Sequence, residues 1–123
     1  MADESGSDPL QAELCAAKLA ALAAPERLRI LRLLRQRPHN VGEIGEALGI
    51  PLVNLSHHLS VLRQNQLVHW TKSGRFVTYE LPAALIQQID GTECLDLGCC
   101  QLQVPGLSGS TRSTDGGGDQ RKE

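Results

Sequence analysis

Three of the four cysteines, Cys94, Cys99 and Cys100, are arranged C-x4-C-C near the end of the chain. Thiolates are soft donors, and three of them on a short segment suit a soft, three-coordinate ion such as trivalent arsenic or antimony, with cadmium or zinc as weaker candidates. The same thiols could act as a redox switch or stay inert, because this spacing lacks the diagnostic value of paired C-x2-C motifs. Cys15, far upstream, reads either as a small buried hydrophobe or as a donor to that site from a second subunit. A second set of residues is short and polar: Asn54, Ser56, His57 and Ser60. Their amide, hydroxyl and imidazole groups can exchange hydrogen bonds with base edges or phosphates. Lys72 and Arg75 add two cations nearby. His57 and His58 are helix neighbours about 100° apart, so they do not chelate one ion together.

These groups need elements to position them. Leu14, Ala17, Ala21 and Ala24 recur at helical spacing across 9–24, and Cys15, Leu19 and Leu22 form a second apolar row. A helix apolar on two faces needs two covering surfaces, one of which is expected to be its copy in a second subunit. Pro25 suits the start of a second helix, with Leu28, Leu31 and Leu34 as its stripe and Arg29, Arg32 and Arg35 on a solvated face; it ends at Arg37-Pro38. Asn40 followed three residues later by Glu43 predicts a capped third helix that stops at Gly49. Pro51 can open the next at once, with Leu55, Leu59 and Leu62 facing inward until about Gln64. Two short helices across a glycine turn make a helix-turn-helix. With the leucines inward, Asn54, Ser56, His57 and Ser60 are left to face a DNA groove.

Residues 67–72 and 75–81 predict a β-hairpin turning at Ser73-Gly74, a wing whose tip carries Lys72 and Arg75 to a duplex backbone or minor groove. Pro82, Leu85, Ile86 and Ile89 then predict a last helix stopped by Gly91. The expected class is α+β, mainly α: a winged helix-turn-helix of about five helices with a two-stranded wing, over 9–91. A flexible acidic start (1–8), a Cys-containing segment (92–105) and a disordered Gly/Ser/Thr tail (106–123) flank it.

Composition removes several alternatives. The net charge of -2 hides a basic middle, with nine Lys and Arg against five Glu over 10–82, between acidic ends. Nothing resembles an export leader, and the aliphatic run at 14–25 is interrupted by Lys18, so a cytoplasmic protein with no membrane span and reduced cysteines is expected. An enzyme is not expected: there is no C-x-x-C and no Ser, His and acid constellation with supporting context. A winged-helix protein-interaction adaptor stays open as an alternative.

The segments LAAPERLRILRLL (22–34), LSHHLSVLRQNQLV (55–68) and GRFVTYEL (74–81) resemble, in order and spacing, the ArsR/SmtB family of metal- and stress-responsive repressors. The resemblance implies a homodimeric repressor on an inverted-repeat operator of double-stranded DNA, one recognition helix per subunit in successive major grooves, with no cofactor needed for DNA binding. Many members carry Ser-Gln-Pro where this chain has Pro51-Leu52-Val53, so no operator sequence carries over. Members also release DNA when an ion binds thiolates on the third helix, or carboxylates and imidazoles on the last. Here 41–48 holds no Cys and 82–91 offers one carboxylate and no His, which leaves Cys94, Cys99 and Cys100 as the inducer site. A thiol redox-responsive repressor is the alternative use of those residues.

Overall fold

The computed structural model describes residues 11–104 and 106–107. The acidic start at 1–8 and nearly all of the expected disordered tail lie outside the described residues. Four α-helices come first or nearly so: α1 (Ala12–Leu22), α2 (Pro25–Gln36), then the short strand β1 (His39–Asn40), α3 (Val41–Leu48) and α4 (Leu52–Gln64). Strands β2 (His69–Ser73) and β3 (Phe76–Glu80) follow, then a 3-10 turn (Ala83–Leu85), β4 (Ile86–Ile89), β5 (Thr92–Asp96) and β6 (Gln101–Leu102). They form two antiparallel three-stranded sheets, ordered β1-β3-β2 and β4-β5-β6.

The α3 start follows its sequence signal closely. The Asn40 side chain accepts from the Glu43 backbone N–H at 2.8 Å, and Glu43 Oε1 accepts from the Asn40 N–H at 2.9 Å, so both orphan donors are satisfied. Gly49 closes the helix at φ 66°, in the left-handed region that glycine enters without steric cost. The core then forms where the stripes meet: Ile30 and Leu31 from α2, Ile44 from α3, and Leu55 and Leu62 from α4 are all 0% exposed. Leu28, expected on the α2 stripe, sits at the rim and is exposed.

Several local expectations are corrected. The wing turns at Gly74-Arg75, because Ser73 pairs with Phe76 and Lys72 with Val77, and β1 joins it as a third strand. The predicted last helix is instead a 3-10 turn and β4, which leaves four α-helices in place of about five. Asp90 and Gly91 occupy the two-residue loop between Ile89 and Thr92 with φ 52° and 76°, the hairpin conformation that Asp-Gly favours. That hairpin straddles the expected boundary at 91/92, and Leu95 of β5 is fully buried in the common core. In α1, Cys15, Ala21 and Leu22 turn inward, whereas Leu14, Ala17 and Leu19 are exposed, so each of the two expected apolar rows is split between core and surface, and Cys15 faces its own subunit.

Candidate DNA interface and thiol cluster

The leucine stripe of α4 fixes which of its edges meets solvent. With Leu55, Leu59 and Leu62 at 0–2% exposure, Asn54, Ser56 and His57 are exposed on the opposite side, and Ser60 is half-buried, its hydroxyl accepting from Gln64 Nε2 at 3.2 Å. Lys72 and Arg75 are exposed on the wing, and neither has an ion-pair partner among the described residues. The wing is tied to α4 by a contact that sequence reading missed: the Arg63 guanidinium stacks 4.8 Å from the centre of the Trp70 ring. Residues 54 to 60 and the wing tip are therefore carried by one braced unit.

His58 does a different job from its neighbour. Arg27 of α2 donates through Nη1 to His58 Nδ1 at 3.1 Å and through Nε to the Ala21 carbonyl at 2.6 Å, linking α4, α2 and the end of α1. A guanidinium can only donate, so Nδ1 must be unprotonated. Burial and then the Arg27 charge lower the His58 pKa below its usual 6.5. The neutral ring is thus the folded form, and the unfolded chain binds the proton more readily below pH 6.5. Stability is expected to be level above that pH and to fall as pH drops through it. Thermal unfolding at pH 7 and pH 5 checks this: His58→Gln should lose less on acidification than the wild type, and an equal loss would assign the effect elsewhere.

The cysteines assemble differently from the expectation. Cys15 of α1 and Cys99, in the loop joining β5 to β6, form a disulfide across 84 positions of sequence, so two of the four expected thiols are oxidised. Cys100 is a free thiol whose sulfur lies 3.9 Å from Cys15 Sγ and 3.9 Å from Cys99 Sγ. The three sulfurs all lie within 4.8 Å of one another, Cys15 buried and the other two half-buried. Cys94 is not among them. It is fixed on β5 opposite Gln87, its sulfur 3.8 Å from the Thr92 carbonyl, whereas Cys99 and Cys100 come from the loop that doubles back after Leu97. Cys15 replaces it, supplied by the same chain.

The elements that carry the cluster also contact α4 and α2. One turn along α1 from Cys15, Lys18 Nζ donates to the Asn65 carbonyl, at the C-cap of α4, at 2.6 Å. From β5, Glu93 accepts from Arg35 of α2, an ion pair with Glu93 largely buried. Among the described residues no helix is long and apolar enough to cross a membrane.

Residues 24–69 match the model of a family described as bacterial regulatory protein, arsR family. The chain is 39% identical over 82 residues to the HTH-type transcriptional regulator NmtR of Mycobacterium tuberculosis, covering 67% of this chain and 68% of that one. It is 33% identical over 67 residues to the transcriptional repressor SdpR of Bacillus subtilis, covering 54% and 74% respectively. Among solved structures it is similar to the homodimeric winged helix-turn-helix DNA-binding domain of Mycobacterium bovis Mb0332, with a TM-score of 0.59, 32% identity, and coverage of 66% of this chain and 75% of that chain.

Proposed function

Since this chain belongs to the arsR family of bacterial regulatory proteins, we propose that it is a homodimeric transcriptional repressor that reads an inverted-repeat operator through α4 and is released by a thiol-binding inducer. It is a regulator and not an enzyme. The observation that carries the DNA half is the sidedness of α4: a leucine edge at 0–2% exposure opposite an exposed Asn54, Ser56 and His57. In this reading Asn54 pairs with an adenine edge, Ser56, His57 and Ser60 contact bases or phosphates, and Lys72 and Arg75 hold the flanking backbone. The exposed Leu14 and Ala17, neighbours on one edge of α1, supply apolar surface for the second subunit.

Anisotropy titrations at several salt concentrations, with duplexes from upstream of the protein's own gene and scrambled controls, test this half. Arg75→Ala should weaken binding to every duplex and reduce the salt slope by about one, whereas Asn54→Ala should cost about 1–3 kcal/mol on the matched duplex and relax its sequence preference. A wild-type chain that binds matched and scrambled duplexes alike at all salts would overturn it.

The inducer half rests on the convergence of Cys15, Cys99 and Cys100. Once a cellular dithiol has supplied two electrons and two protons to the Cys15–Cys99 bond, three thiols face one point. Arsenous acid can then exchange its three hydroxyls for three As–S bonds, releasing three waters, and antimonite reacts in the same way. Such an ion favours release only if it binds the DNA-incompetent form more tightly. The Lys18 contact to the end of α4 and the Glu93–Arg35 pair are the links through which a shift of α1 or the β5–β6 loop would displace the reading helix. A second reading, in which oxidation itself is the signal, is favoured by the disulfide. It predicts that DNA affinity differs between oxidised and reduced protein with no ion added.

A further inference from the structure

The leading end of α4 carries two large aliphatic side chains that nothing among the described residues covers: Leu52 is 66% and Val53 82% exposed. Neither joins the core cluster. Helix geometry places Val53 more tellingly than exposure alone. At about 100° per residue, the outward direction opposite Leu55, Leu59 and Leu62 falls between Val53 and His57, which are four positions apart and stack on one edge, with Ser56, Ser60 and Asn54 to either side. Val53 therefore stands at the middle of the polar reading face, whereas Leu52 lies about 100° from it, toward the leucine edge.

An aliphatic group in that position has little to gain against most base edges. The major groove presents carbonyl, ring-nitrogen and amino groups, which a valine would desolvate without replacing their hydrogen bonds; the thymine C5-methyl is the apolar group it offers. We infer that Val53 reads a thymine methyl group, so that this protein recognises T-containing steps by apolar contact alongside the hydrogen bonds of Asn54 and His57. The inference rests on the proposal that α4 enters the major groove, and adds to it a base identity and the residue that chooses it. The polar ring around Val53 and the cations on the braced wing favour a duplex over an apolar protein partner as the occupant.

The test removes the methyl from the DNA and its counterpart from the protein. In the matched duplex, each thymine is replaced in turn by deoxyuridine, which pairs identically and lacks only the methyl. Wild-type affinity should fall about fourfold per lost methyl at one or two positions in each half-site, the effect of withdrawing one buried carbon. Val53→Ala should bind the thymine duplex more weakly and be nearly indifferent to uracil at those positions, whereas Leu52→Ala should respond to uracil as wild type does. Both side chains are exposed, and circular dichroism checks that the variants keep the fold.

If every uracil-substituted duplex binds wild type within twofold of the parent, or if Val53→Ala responds to uracil as wild type does, the inference falls while the groove reading stands. If no duplex is bound in preference to a scrambled one, the groove reading falls and takes this inference with it. If Val53→Ser converts a dimer to a monomer in sedimentation, the patch is a subunit interface and the assignment to DNA is wrong.

Discussion

Replacing Cys99 and Cys100 together by serine should leave operator binding within twofold of wild type while abolishing arsenite-triggered release. Coupling between an effector and DNA of the usual size changes affinity by roughly 5–150-fold, so the loss is large against titration error. The cluster makes the single variants discriminating. Cys15→Ser should lose the response, because Cys15 Sγ is one of the three converging sulfurs, whereas Cys94→Ser should keep it, because Cys94 lies apart on β5. A set chosen from the C-x4-C-C spacing alone would give the opposite ranking of these two. The titrations need a phosphine reductant, since a dithiol would compete for arsenic. Normal release by the Cys99→Ser/Cys100→Ser protein would sink the inducer reading outright. Release by oxidant, with none by arsenite, would transfer the role to the disulfide.

Much of the reading unit was legible because its signals are local. Asn40 and Glu43 satisfy donors within three residues of each other, and Leu55, Leu59 and Leu62 repeat at one helical period, so chain order alone implies their geometry. The last element shows where local pattern misleads. Leu85, Ile86 and Ile89 match a helical stripe, and Gly91 reads as a helix stop, but Asp90-Gly91 is also the strongest short hairpin signal. β-branched Ile86 and Ile89, and a partner strand whose Leu95 fills the core, decide in favour of β4 and β5. Once that hairpin is in place the cysteines follow. The loop after β5 brings Cys99 to Cys15, a pairing across 84 positions that no spacing rule contains. The Arg63–Trp70 stack, the Lys18 contact and the Arg35–Glu93 pair were hidden for the same reason, since each joins elements whose docking is set by the core.

Reduction of the Cys15–Cys99 bond should produce the largest stability change in this protein. The bond closes a loop across 84 positions, and in the chain-entropy account a closure of that length restricts the unfolded ensemble by about 4–5 kcal/mol, with measured disulfides commonly giving 2–4. In a domain of this size each kcal/mol moves Tm by roughly 4–8 °C, so reduction should lower it by roughly 10–30 °C. Cys15→Ser should show the lower Tm at once and lose all sensitivity to reductant, which separates the disulfide from any general effect of the reagent. A wild-type Tm that ignores reductant would remove the bond from the account of stability. The same measurement bears on induction. α1 is held to the rest of the fold mainly by Cys15, Ala21, Leu22 and the Lys18 and Arg27 contacts, so opening the bond loosens the helix that also caps α4. An ion that rejoins the three sulfurs binds only the folded chain and restores about 2.7 kcal/mol at a hundred times its Kd. Arsenite should therefore raise the Tm of reduced wild type and leave that of the Cys99→Ser/Cys100→Ser protein unchanged, and this thermal shift would be seen with no DNA present.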